Sequence, residues 1–326
     1  MFPRVIGAAL LATLVSSSMA AGALAAQAVY PVKPIRLIVA QSAGGSADFV
    51  ARSYAQRLTE QFGQQIVIDN RAGGAGIVGS ELVVNAPPDG YTLLLAPTSH
   101  AINPNFIAKL PYDTRRDFAP VSLLGAGYNL LVVSQNSPAR AMRDVIAAAR
   151  AQPGQLRYGS SGVAGATHLT TELFRLMAGI DMLHVPYKGA PAALTAVIGG
   201  ECDLTFGSMA STLPLVRAGR LRALAITSRE RWAGLPEIPS VAEAGVPGYE
   251  SSSWQALLGP ARMPPEIVDR LYREIAKSAK NPDMVKRFNA EGMVPLGGTP
   301  KELDEHIARE LEKWVKVTKA AGLNVH

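Results

Sequence analysis

The residues of this chain with chemical potential gather in short stretches rich in glycine and serine: Ser42-Ala43-Gly44-Gly45-Ser46, Gly73-Gly74-Ala75-Gly76, Ser160-Ser161-Gly162 and Gly189. Each falls where a predicted strand gives way to a predicted helix. A helix N-terminus there offers unpaired backbone N–H groups and the positive end of its dipole. Small residues let a ligand approach that backbone closely, and the hydroxyls of Ser46, Ser161 and Thr167 add donors, so the chemistry suggested is capture of an anion. A helix N-terminus contributes about 0.3–2 kcal/mol and a charge-assisted hydrogen bond about 1.5–3 kcal/mol. Four or five such contacts reach roughly 8 kcal/mol, which is micromolar binding. Any one of these stretches, taken alone, reads more readily as turn and cap residues. Their recurrence on the same ends of two sheets is what favours a site.

Other chemistries lack their parts. Gly74-Ala75-Gly76-Ile77-Val78-Gly79 matches the dinucleotide fingerprint and follows a strand, but no acid ends the next strand, at Ala96-Pro97-Thr98, to hold a ribose. Asp89 precedes that strand in a Pro-Pro-Asp-Gly turn, and Pro87 cuts the helix short. The histidines, at 100, 168, 184, 306 and 326, form no His-Glu-x-x-His pattern and no cluster with cysteine, which argues against a zinc site. No serine sits in G-x-S-x-G, so nucleophilic catalysis has no support. His168, near a helix start, could donate to a ligand or simply cap and pack; Lys188, after Pro186-Tyr187, is either a cation at the site's edge or a solvated charge. We therefore expect no catalytic residue, no metal and no cofactor.

The elements that position these stretches alternate regularly. An apolar strand at 35–40 leads through Ser42–Ser46 into a helix on which Val50, Tyr54, Leu58 and Phe62 share a face. Strands follow at 65–69 and 91–96, separated by the 73–76 loop and a short helix. The order repeats: strand 156–160, a helix with Leu169, Leu173, Leu176 and Met177 on one face, then strands at 182–185, 202–206 and 221–227 with helices between. Such alternation predicts two parallel-sheet α/β domains. The apolar run Ser122–Val133 crosses from one to the other, and Ser252–Gly259 returns. Two late amphipathic helices, carrying Ile267, Leu271 and Ile275 and then Leu303, Ile307, Leu311 and Trp314, are assigned back to the first domain. The expected division is residues 26–125 with 251–326 against 126–250, with a hinged cleft between.

The chain has 326 residues, 48% hydrophobic and 18% charged, enough for two ordinary cores. At the start, Arg4, an apolar run from Val5 to Val15 and Ala23-Leu24-Ala25 have the layout of a secretory signal over residues 1–25. That run is too short to span a bilayer. The single cysteine, Cys202, cannot form an internal disulfide. A net charge of +6 favours anionic partners, but Lys and Arg are scattered without interleaved aromatics, which argues against nucleic acid.

Six segments, Tyr30-Pro31 with Pro34–Val39, Ala43-Gly44-Gly45 with Asp48, Asn70-Arg71, Pro88–Leu93, His184–Gly189 and Ser240–Tyr249, together resemble the substrate-binding proteins of tripartite tricarboxylate transporters, the Bug or TctC family. The resemblance spans the whole chain after the signal. It implies an α/β, type II periplasmic-binding-protein fold holding a di- or tricarboxylate or related small acid between two lobes. The protein would be a periplasmic monomer that delivers this ligand to large and small membrane subunits. It further implies binding through backbone amides of the loop matching Ser42–Ser46, with Asp48, Thr98 and Ser99 on the same side. The facing loops would match Ser160–His168, with Tyr187, and Phe206–Ser208, including Gly207 and Ser208. Two positions depart from the family pattern. Ala40-Gln41 stand where a proline and an aromatic are usual, and Gly207 stands where an aspartate often follows the phenylalanine. An acid there could pair with an amine, so its absence leans away from an amino-acid ligand. The rival readings are an extracytoplasmic sensor serving a signalling partner without transport, which needs the same cleft, and an exported hydrolase or dehydrogenase.

Overall fold

The computed structural model describes Tyr30–Gly322, apart from positions 164 and 188. The predicted signal and Lys188 thus lie outside the described residues. In chain order the elements are β1 (Ile35–Val39), α1 (Ser46–Phe62), β2 (Ile66–Asn70), α2 (Ile77–Val84), β3 (Thr92–Pro97), α3 (Ser99–Ile102), β4 (Phe118–Gly127) and β5 (Asn129–Ser134). There follow α4 (Met142–Ala151), β6 (Arg157–Ser160), α5 (Ala166–Ala178), β7 (Leu183–Pro186), α6 (Ala190–Gly199), β8 (Leu204–Ser208), α7 (Met209–Arg217) and β9 (Leu221–Ile226). The last are β10 (Ser253–Pro260), α8 (Pro265–Ala279), α9 (Pro282–Ala290), β11 (Met293–Pro295) and α10 (Pro300–Ala320).

These strands make two sheets, ordered β11-β4-β10-β3-β1-β2 and β7-β6-β8-β5-β9. Ile35, Leu37, Ile38 and Val39 are all buried, as expected of a strand covered on both faces. In the first sheet β1 runs parallel to β2 and β3; in the second β6 runs parallel to β7 and β8. Both sheets are nevertheless mixed. β10 lies antiparallel to β3 and β4, and β5 antiparallel to β8 and β9. The antiparallel strands are those by which the chain passes between sheets. They arrive without the crossover helix that keeps neighbouring strands parallel, and helical periodicity carries no trace of that. Only Tyr128 separates β4 from β5.

Val50, Tyr54 and Leu58 of α1 are buried, and Gly63, left-handed at φ 64°, ends the helix by donating to Thr59. α5 corrects the expected face: Leu169 and Leu173 are buried, but Leu176 and Met177 are exposed, and Phe174 and Ala178 are covered instead. The covered stripe follows Thr170, Phe174 and Ala178, one residue round from the predicted one. The late helices return to the first sheet as expected. α8 packs on α1 and β4, while α10 packs on β4 and α3 and also reaches α5. Trp254 of β10 and Trp314 of α10 both donate their indole N–H to the buried Glu310 carboxylate, at 3.0 and 2.9 Å. Among the described residues, no helix is long and apolar enough to cross a membrane.

Candidate functional site

The loop after β1 is fixed from beneath by one carboxylate. Asp48 Oδ2 accepts from the Gly44 backbone N–H at 3.0 Å and from Arg52 Nε at 2.9 Å, while Oδ1 accepts from the Asn70 side chain at 3.1 Å. Asn70 also donates to the Gln41 carbonyl at 3.2 Å, so β2 anchors both ends of the loop. Burial of Asp48 works against its charge, but the bonds from Arg52, Gly44 and Asn70 outweigh it and hold the carboxyl below the usual range. Asp48 therefore shapes the loop and does not itself line the cleft.

The cleft comprises three adjoining cavities that share lining residues. The first, about 310 Å³, lies between Gly44, Gly45 and Ser46 at the start of α1 and Ser208, Met209 and Ala210 at the start of α7. The second, about 610 Å³, continues along Ser42–Ser46 to Gly76 and Ser99. The third, about 460 Å³, is bounded by Thr98, Ser99 and the segment to Ile107 on one side and by Gly165, Ala166, Thr167 and Ala190 on the other. The N-termini of α1 and α7 thus open on the first cavity and those of α5 and α6 on the third, which shares Asn129, Ser208 and Ser253 with the first. Among the described lining residues there is no lysine or arginine. One acid, the exposed Glu291, lines the first cavity.

Of the residues singled out in the sequence, Ser42, Ala43, Gly44, Gly45, Ser46, Gly76, Thr98, Ser99, Thr167 and Ser208 line this space. Gly74, Ser160, Ser161, Gly162, His168, Tyr187 and Gly207 do not. Gly76 and Gly79 serve close packing: a β-carbon at Gly79 would lie 2.9 Å from that of Ala40. This is the helix-to-strand contact of a dinucleotide motif without the rest of that site. Ser160 is fully buried and shares a 2.6 Å hydrogen bond with His184 Nε2. Ser161 donates its backbone N–H to Thr167 Oγ1 at 2.8 Å and folds its loop against α5. The His168 ring stacks on His184 at 3.9 Å, beneath the loop. Burial, and then the neighbouring His168, push His184 down to about 4. Tyr187 directs its hydroxyl to Cys202 and Glu201. At Gly207 a β-carbon would lie 2.3 Å from Thr212 Cγ2, so Thr212 occupies the room that a side chain at 207 would need.

Sequence reasoning missed Asn129, Gln41, Asn103 and Ser251–Ser253, all of which line the cleft. Asn129 stands at the crossing between sheets. Its backbone is held by Thr227, through Asn129 N–H to Thr227 Oγ1 and Thr227 N–H to Asn129 O, both at 2.9 Å. Its side chain makes no hydrogen bond to any described residue, although the residue is only 8% exposed. A single amide inside the apolar run 122–133, and a serine triplet opening the return crossing, were the signals available.

Two sheet-based α/β domains with a cleft at their facing strand ends have the architecture of periplasmic binding proteins. The model of the tripartite tricarboxylate transporter family receptor matches residues 50–323. A curated relative, the UPF0065 protein in the tcbD-tcbE intergenic region of Pseudomonas sp. (strain P51), is 37% identical over 298 residues, covering 91% of this chain and 89% of its own. Among solved structures, R. palustris Rpa4515 with adipate is 37% identical with a TM-score of 0.75, covering 91% of this chain and all of that one. MatC (Rpa3494) from Rhodopseudomonas palustris with bound malate is 26% identical with a TM-score of 0.68, covering 88% and 99%. The chain belongs to the tripartite tricarboxylate transporter receptor family.

Proposed function

We propose that this protein is an extracytoplasmic solute receptor that holds a small organic carboxylate in the cleft and presents it to the membrane subunits of a tripartite tricarboxylate transporter. The observation that carries this reading is the meeting of four helix N-termini around adjoining cavities whose described lining has no cationic side chain. Such a site stabilises an anion through backbone N–H groups and dipoles. Relatives crystallised with adipate and malate support the same ligand class.

In this reading residues 1–25 are removed on export, and the mature protein acts as a monomer. Residues 26–125 with 251–326 form one lobe and 126–250 the other. The ligand docks on the Ser42–Ser46 loop, and the second lobe swings in to add Ser208 and the N-termini of α5 and α7. Because the closed form makes contacts that the open form lacks, ligand shifts the population toward closure. The protein binds and releases its ligand unchanged.

Thermal-shift and calorimetric titration of the purified protein against small carboxylates tests this. At about a hundred times Kd a ligand adds roughly 2.7 kcal/mol of stability, which is a readily measured rise in Tm. Silence toward every acid, with a response to neutral sugars, would reject the reading.

A further inference from the structure

We infer that the cleft selects acids with a hydrocarbon body over acids of equal length that carry hydroxyl groups. This rests on the carboxylate-receptor reading and narrows it. The third cavity has an apolar wall formed by Pro97, Ile102, Phe106, Ile107 and Trp314. Methylene groups laid against such a wall leave water at a gain.

Six of the hydroxyl residues that reach the same cavity commit their side chains within the protein, whereas Ser252 and Ser253 make no side-chain hydrogen bond to a described residue. Thr98 Oγ1 donates to the Trp254 carbonyl at 3.2 Å and accepts from its N–H at 2.8 Å. Ser99 Oγ donates to the Ala75 carbonyl at 2.6 Å. Thr170 and Ser251 pair their hydroxyls at 3.0 Å, as do Ser208 and Ser211 at 2.7 Å. Thr167 Oγ1 accepts from the Ser161 N–H. A ligand hydroxyl laid against the apolar wall sheds water and gains no partner there, which weakens binding on the order of tenfold for each one left unpaired.

Asn129 is an uncommitted amide of this cavity, as is Gln41 on the opposite loop. Asn129 lines both this cavity and the neighbouring one between α1 and α7, and its side-chain NH2 has two donors for a carboxylate oxygen. A carboxylate beside Asn129 and Ser208 leaves the body of the ligand to run toward Phe106 and Trp314.

Adipate and galactarate test this directly, because both have six carbons and two carboxylates and they differ only in four hydroxyls. Calorimetric titration of the purified protein should give adipate a Kd at least tenfold below that of galactarate. Substituting Phe106→Asn should shrink that ratio at least threefold while Tm without ligand stays within a few degrees. Equal or tighter binding of galactarate overturns the inference, as does an unchanged ratio in the variant. Binding of malate or citrate without adipate also overturns it, and leaves the receptor reading standing. No heat from any of the four acids overturns it, and silence toward every other small carboxylate with a response to neutral sugars overturns the receptor reading too.

Discussion

Gly207 and Thr212 share one space: a β-carbon on the glycine would sit 2.3 Å from the Cγ2 of the threonine. Thr212 is fully buried and bonds its hydroxyl to the Ser208 carbonyl at 2.7 Å, so it has no room to retreat. The substitution Gly207→Ala should therefore lower stability by about 1–3 kcal/mol through overpacking. Adding Thr212→Ser, which keeps the hydroxyl and removes Cγ2, should recover most of that loss. Urea unfolding of both variants checks it, and an equal loss in the double variant would refute the shared-space account.

Asp48 offers a test of how the first loop is held. Replacing it with Ala removes the acceptor for Gly44, Arg52 and Asn70 together, and should cost about 2–4 kcal/mol. Ligand affinity should fall at least tenfold more than in Arg52→Ala, which leaves the Gly44 bond intact. Binding curves at equal folded fraction separate the two effects.

Acid should weaken the fold in two stages. His100 and His184 are each held down to about 4, chiefly by burial, against about 6.5 in an unfolded chain. As pH falls below about 6.5 the unfolded state takes up these protons first. Stability is thus fully present above that value and is lost on the way to about 4. Asp48, lowered by its partners, adds stability that is present above the ordinary aspartate value and lost as pH falls through its own. Melting temperatures should hold steady from pH 7.5 to about 6.5 and decline from there to pH 3.5. His184→Asn should flatten the upper part only.

Glu310 should be among the least replaceable residues outside the cleft. Burial opposes its charge, but the Lys313 ammonium and the bonds from Lys313 and Trp254 prevail and keep it below the usual range. Glu310→Ala would leave two indole N–H groups and a half-buried ammonium without their acceptor, at about 3–5 kcal/mol. Chemical denaturation followed by tryptophan fluorescence measures this, since Trp254 and Trp314 are the affected rings.

Much of the fold was legible because its units are local. Val50, Tyr54 and Leu58 mark α1 by spacing alone, and the strand-loop-helix order locates the glycine-rich turns. The antiparallel placement of β5 and β10 was not legible, since direction within a sheet depends on how the chain crosses and not on any residue of the strand. The cleft was half visible. Ser42–Ser46, Thr98, Thr167 and Ser208 face it, whereas Ser160 and His168 support a loop from below, and only three-dimensional packing distinguishes lining from support. Asn129 went unnoticed because one amide in an apolar run looks like a strand residue until its partner proves to be missing.

The single residue between β4 and β5 limits how this molecule can respond. With Tyr128 as the whole of that linker, the two halves have no slack to slide or draw apart along that connection. In the receptor reading proposed above, closure around a guest would be a swing with its pivot beside Asn129. A guest held there sits almost on the axle, so small shifts at the guest become large excursions at the far rims. In that reading, those rims are where a membrane partner would detect whether the receptor is loaded.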